Sequence, residues 1–262
     1  MQKYLGLFAK SFKVGLTYRG MAISSFLFAA LALAIQFSLW YALMRGGAYQ
    51  GVTFRDMVTY LLIGDLVTGL VYVEVADTLE GQIKDGSVIT NLIRPVSLKG
   101  YFTADALGGN AYRLLVSTVP LLIVSAAFFG LALPPSPAYA LLFLASVVLG
   151  MLLMIEINFI VGFLAFVVQR TWYLDWYVNA GLSVFGGAQI PLWFFPNWLY
   201  NLSYALPFRY IIYEPLNFYL GRTPLSGAWE PILIACAWLT ALRLLEAVAW
   251  RRIQRRLTVN GG

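Results

Sequence analysis

Leu5, Phe8, Phe12 and Leu16 recur at helical spacing at the start of the chain, with Lys3, Lys10, Lys13 and Arg19 largely elsewhere on the wheel. This predicts an amphipathic helix over 1–20, lying in a membrane interface. Long apolar runs follow, and six of them, over 21–44, 56–76, 105–133, 138–168, 177–193 and 227–250, read as spans near or above the ~20 residues a helix needs to cross hydrocarbon. The run ending near Ala34 resembles a secretory h-region, but it continues to Met44 and reads as a retained span. Pro134, Pro135 and Pro137 mark a turn after the third span. Pro191, Pro196, Pro207 and Pro215 interrupt the aromatic stretch 191–226, which predicts short re-entrant or interfacial helices at the outer side. The expected fold is all-α and polytopic, one transmembrane domain over 1–262.

One segment between the second and third spans, 80–98, breaks the apolar pattern with a charge in nearly every turn. Ser87 can cap a short helix there, Val88, Leu92 and Ile93 can offer an apolar face, and Pro95 ends it. An ordinary polar loop would explain the charges alone.

Composition agrees with a membrane protein: 60% of residues are apolar, 11% are charged, and mean hydropathy is +0.75. The absence of His and the single Cys236 exclude a disulfide framework, a zinc finger and a Cys/His nucleophile pair. Cys236, inside an apolar run, reads as a small buried residue. The net charge of +6 sits beside apolar spans and reports orientation, with no nucleic acid implied. The side holding the N-terminal helix, segment 80–98 with Lys84 and Arg94, Lys99 just after it, the turn with Arg170 and the tail with Arg251, Arg252, Arg255 and Arg256 carries twelve positive charges. The other side carries four, Arg45, Arg55, Arg209 and Arg222. Both termini and segment 80–98 are therefore expected in the cytoplasm. No phosphate-binding Gly-rich loop is present and no metal cluster is expected, so nucleotide hydrolysis would need another subunit.

Gly86-Ser-Val-Ile-Thr-Asn-Leu-Ile-Arg-Pro-Val-Ser97 resembles the cytoplasmic loop of the type-2 ABC transporter permeases, including the spacing from Gly86 to Pro95. Pro196, Trp198, Pro207, Tyr210 and Pro215 are similar to the stretch before the last span in that family. The resemblance covers essentially the whole chain and is closest to a six-span branch often found as paired paralogues. It implies an exporter permease subunit of a prokaryotic plasma membrane, without enzyme activity of its own. ATP and Mg would be bound by separate ABC ATPase subunits, and a second permease chain, a copy or a paralogue, would complete the dimer. Gly86, Ser87, Val88, Leu92, Ile93, Arg94 and Pro95 would then dock on the ATPase. A competing resemblance, to the importer-type Glu-Ala-Ala loop, falls on Glu74 to Gly81 with spacings off by one.

Ionisable residues inside spans are costly and are functional candidates by default. Asp65, with Thr68 and Tyr72 on its face, can line a wet path or bond a neighbouring helix. Arg113 lies in a polar stripe with Asn110 and Ser117, and is expected to pair with Glu156, with Glu74 as alternate partner. Arg243 and Glu246 read as a local pair. Phe194 and Trp198, among the aromatics near the end of the fifth span, form either an outer aromatic belt or a gate. A secondary carrier using Asp65, Glu74 and Glu156 as a proton relay is the alternative outside the ABC group.

Overall fold

The computed structural model describes residues 2–17, 19–45, 47, 51–92, 96–166 and 172–254. Among the described residues the fold is helical, without strands. Helix α1 spans Gln2–Thr17 and α2 Arg19–Leu43. Helix α3, Phe54–Val71, opens on a capping box in which Thr53 and Asp56 each accept the other's backbone N–H. Two short helices follow, α4 Val75–Lys84 and α5 Val88–Leu92. The third long element is α6, Leu98–Arg113, continued through a π-helical turn at Leu114–Thr118 into α7, Val119–Phe129. Helix α8 is Pro137–Leu164 and α9 is Trp172–Phe185. Short α10, Asn197–Tyr204, and α11, Tyr213–Tyr219, then lead to α12, Trp229–Gln254.

Five stretches among the described residues are long and apolar enough to cross a membrane: Ile23–Leu43, Phe54–Lys84, Leu98–Phe129, Pro137–Leu164 and Leu225–Gln254. Residues 177–193 do not form one helix. Helix α9 stops at Phe185, and its 14 residues reach about 21 Å at helical rise, short of the ~30 Å hydrocarbon core. What stops it is Gly187, at φ +68, whose carbonyl accepts the Tyr60 hydroxyl at 2.6 Å. A Cβ at Gly187 would sit 3.0 Å from that hydroxyl, so the left-handed turn and the close approach both call for glycine.

Helices α3 and α8 carry the centre of the core, with Met57, Tyr60, Val67, Leu153, Met154 and Phe159 fully buried. By contrast α2 and α12 leave Phe28, Ile35, Leu233 and Leu244 exposed. Hydrocarbon is as apolar as leucine and can cover such faces without cost. Cys236 is exposed on α12, not buried as its apolar setting suggested. The sequence pattern reports apolarity, which in a lipid-facing helix does not distinguish core from surface.

Helix α1 lies lengthwise on α6. Tyr4 meets Ser97, Ser11 donates to Asp105, and Phe12 meets Tyr112 edge-on at 6.2 Å, so the two helices run in parallel. Gly108 permits the approach, since a Cβ there would lie 2.3 Å from the Phe8 carbonyl oxygen. Gly108→Ala is expected to lift α1 from α6 at a cost of about 1–3 kcal/mol of packing. The check is faster protease cleavage within α1 at unchanged membrane insertion.

Candidate functional site

Segment 80–98 folds as the end of α4, a turn, and the single helical turn-and-a-half of α5. Gly86, at φ +76, makes the reversal between them. Asp85 Oδ1 accepts the Ser87 N–H at 2.8 Å, and hydrogen bonding from Ser87 holds the exposed Asp85 carboxyl below its usual range. Buried Asn91 donates to Gln82 at 2.5 Å and straps α5 to α4. The apolar residues of α5 divide differently from the expectation. Val88 is buried against the chain's own core, whereas Ile89 is 61% exposed. The side chain of Leu92, and Ile93, Arg94 and Pro95 entirely, lie outside the described residues, as do Arg170, Arg255 and Arg256.

Behind α5, four charges from three helices meet. Lys99, in the first turn of α6, places Nζ 2.7 Å from Glu156 on α8 and 2.9 Å from Glu246 on α12. Arg243 on α12 donates to Glu156 from the other side at 3.1 Å. Glu156 is 1% exposed, and the Lys99 ammonium also lies 5.4 Å from the centre of the Phe159 ring. The quartet is neutral overall, which is what makes a buried carboxylate tolerable there. A cavity of about 340 Å³ beside it is lined by Asn91, Lys99, Phe163, Glu246 and Trp250, so the α4–α5 strap and the quartet share one wall. Sequence reasoning placed Lys99 only in the charge count. The visible signal was Glu156, a carboxylate deep in an apolar helix.

This arrangement corrects two expected pairs. Arg113 does not meet Glu156; it reaches the alternate partner Glu74 at 3.1 Å and lies over the Tyr72 ring at 5.6 Å. Arg243 and Glu246 do not pair with each other, each having a partner across the bundle. The reason is a break in the second span: backbone at Tyr72 and Glu74 is non-helical, separating α3 from α4. The break frees the Tyr72 carbonyl, which accepts from Asn110, and swings Glu74 toward Arg113. The polar stripe of the third element thus closes the break, with Ser117 buried above it.

Asp65 is half-buried on α3 and makes no hydrogen bond or ion pair among the described residues; Thr68 turns back onto the Gly64 carbonyl at 2.7 Å. Phe194 stacks on Trp40 of α2 at 5.1 Å, and Trp198 is 68% exposed. Asp65, Tyr72, Phe194 and Trp198 line neither the cavity beside the quartet nor the one around Arg209. Asp65, Glu74 and Glu156 share no hydrogen bond, and the last two are held by cations, an arrangement unlike a proton relay.

At the opposite end of the bundle Arg209 is 2% exposed. Its guanidinium donates to Glu214 at 2.6 Å, Ser203 at 2.8 Å and Tyr200 at 3.2 Å, and lies 3.6 Å from the centre of the Tyr204 ring. Sequence reading counted Arg209 only as an outer charge.

No curated protein matches this chain, and neither does any solved structure. A family model described as ABC-2 family transporter protein matches residues 23–261, taking in most of α2 and every later helix. That match, on a bundle of long apolar helices with a short two-helix strap at one end, shows that the chain belongs to the ABC-2 transporter family.

Proposed function

We propose that this permease is the membrane subunit of an ATP-driven exporter, and that α5 docks on a separate ABC ATPase subunit carrying ATP and Mg. The carrying observation is the exposed Ile89 on a strap fixed by Asn91 to α4 and lying next to the Lys99–Glu156–Arg243–Glu246 quartet. A push on α5 would reach the start of α6 and, through Lys99, α8 and α12 together. Glu74 to Gly81 fits docking less well, because Val75, Ala76, Leu79 and Glu80 are buried against the chain itself. This favours the exporter-type loop over the importer-type one. Both termini and α5 would face the cytoplasm of a prokaryotic plasma membrane, by the bias of positive charge. A second permease chain, copy or paralogue, would supply the other half of the path. The fifth of the six expected spans, 177–193, would run through α9 and the segment that follows it.

The test is Ile89→Asp in the full transporter. Placing a charge at the centre of an apolar contact is expected to cut recovery of the ATPase on co-purification at least tenfold and abolish ATP-dependent transport, with permease levels unchanged. Undiminished recovery and transport would overturn the docking assignment.

A further inference from the structure

A cavity of about 370 Å³ lies at the end of the bundle away from α5, within the ~300–1,000 Å³ range of small-molecule sites. Its end of the bundle is fixed by Gly221, which packs on Pro135 in the turn between α7 and α8. Two buried polar atoms there have no hydrogen-bond partner: the donor Trp193 Nε1 and the acceptor Asn217 Oδ1. Asn217 is 6% exposed. Such groups are expensive to leave unmet, and both belong to residues lining the same space. The rim adds two charges of opposite sign, Arg222 and Glu230, neither in an ion pair among the described residues. Arg222 lies 3.9 Å from the centre of the Trp193 ring, so cation and orphan donor are neighbours. Arg209 and Glu214, also in the wall, satisfy each other, so the unmet groups of the lining are one cation, one donor, one anion and one acceptor.

We propose that this cavity binds a compact zwitterion, its oxyanion held by Arg222 and the Trp193 N–H, and its ammonium held by Glu230 and Asn217 Oδ1. A guanidinium fork suits phosphate or carboxylate oxygens, and an ammonium donates to carboxylate and amide oxygens together. Pro231 and Ile234 of α12 form one wall, next to exposed Trp229 and Leu233 on the same helix. The ligand can therefore enter as the headgroup of an aminophospholipid from the bilayer, or as a free zwitterion from solution. This site depends on the chain being a membrane protein and on no assumption about ATPase docking.

The test uses the full chain, purified in detergent without nucleotide. Retention of phosphatidylethanolamine and phosphatidylglycerol of identical acyl chains is compared by native mass spectrometry, alongside thermal stabilisation by O-phosphoethanolamine. At least fivefold preference for phosphatidylethanolamine, lost in both Arg222→Gln and Glu230→Gln, supports the site with lipid as its source. Stabilisation by O-phosphoethanolamine alone, abolished by the same variants, supports it with a free molecule as its source. Equal retention of the two lipids with no effect of O-phosphoethanolamine overturns it, as does a preference that both variants keep. Should either variant unfold, Trp193→Phe removes the N–H while keeping an aromatic face; parent-like binding by that variant also overturns the site. None of these readouts involves ATP, so failure here leaves the docking proposal untouched, and failure of docking leaves this one.

Discussion

Glu156→Ala should cost on the order of 3–5 kcal/mol of stability, because it removes a carboxylate 1% exposed that Arg243 and Lys99 share, leaving Arg243 unpaired and Lys99 with Glu246 alone. The low end is expected, since Lys99 and Arg243 are 35% and 56% exposed and regain some water when the partner goes. Thermal unfolding of the purified permease measures the loss; a change within about 0.5 kcal/mol would mean that the quartet holds nothing together. A double-mutant cycle sharpens the reading. Lys99→Met should couple strongly to Glu156→Gln, because Lys99 alone links α6 to both α8 and α12, and Arg243→Met should couple less. If the quartet also transmits ATPase closure, Lys99→Met should keep ATPase recruitment while lowering transport per ATP hydrolysed.

Arg209→Met should be as damaging, at about 3–5 kcal/mol, for a different reason. The guanidinium occupies three acceptors at once and faces the Tyr200, Tyr204 and Tyr213 rings, so its loss leaves the Glu214 carboxyl, 4% exposed, without its partner. Arg209→Lys should recover little, because an ammonium on a flexible stem cannot reproduce a planar fork. The pair Arg209→Met with Glu214→Leu should recover most of the stability, since it removes both buried charges. Steady-state membrane levels and unfolding temperature of the four proteins check the order. Parent-like stability of Arg209→Met would show that the pair is not needed to fold the α10–α11 segment.

Much of the bundle was legible along the chain. Apolar run length located the stretches that became α2, α3, α7, α8 and α12, because crossing hydrocarbon is a demand on consecutive residues. The prolines between 191 and 215 announced short helices for the same reason: a missing N–H and a ring clash act within one turn. The stop at Gly187 was not legible, since glycine is tolerated in apolar runs, and what singles it out is the Tyr60 hydroxyl from α3. Likewise Val88 and Ile89 are neighbours of equal apolarity, and only packing against the rest of the chain turns one inward and the other out.

The sequence by itself determined the membrane class, the positions of most of the long apolar helices, the break in apolarity between the second and third, and the family. Those are properties of composition, run length and local spacing. Only the tertiary structure decided which charges meet. Arg113 is held by Glu74 because a break at Tyr72 swings Glu74 toward it, and Glu156 is shared by Lys99 and Arg243, 57 and 87 residues away. Such partners are chosen by which helix faces pack together in three dimensions, and a buried charge takes whichever counter-charge that packing brings within reach.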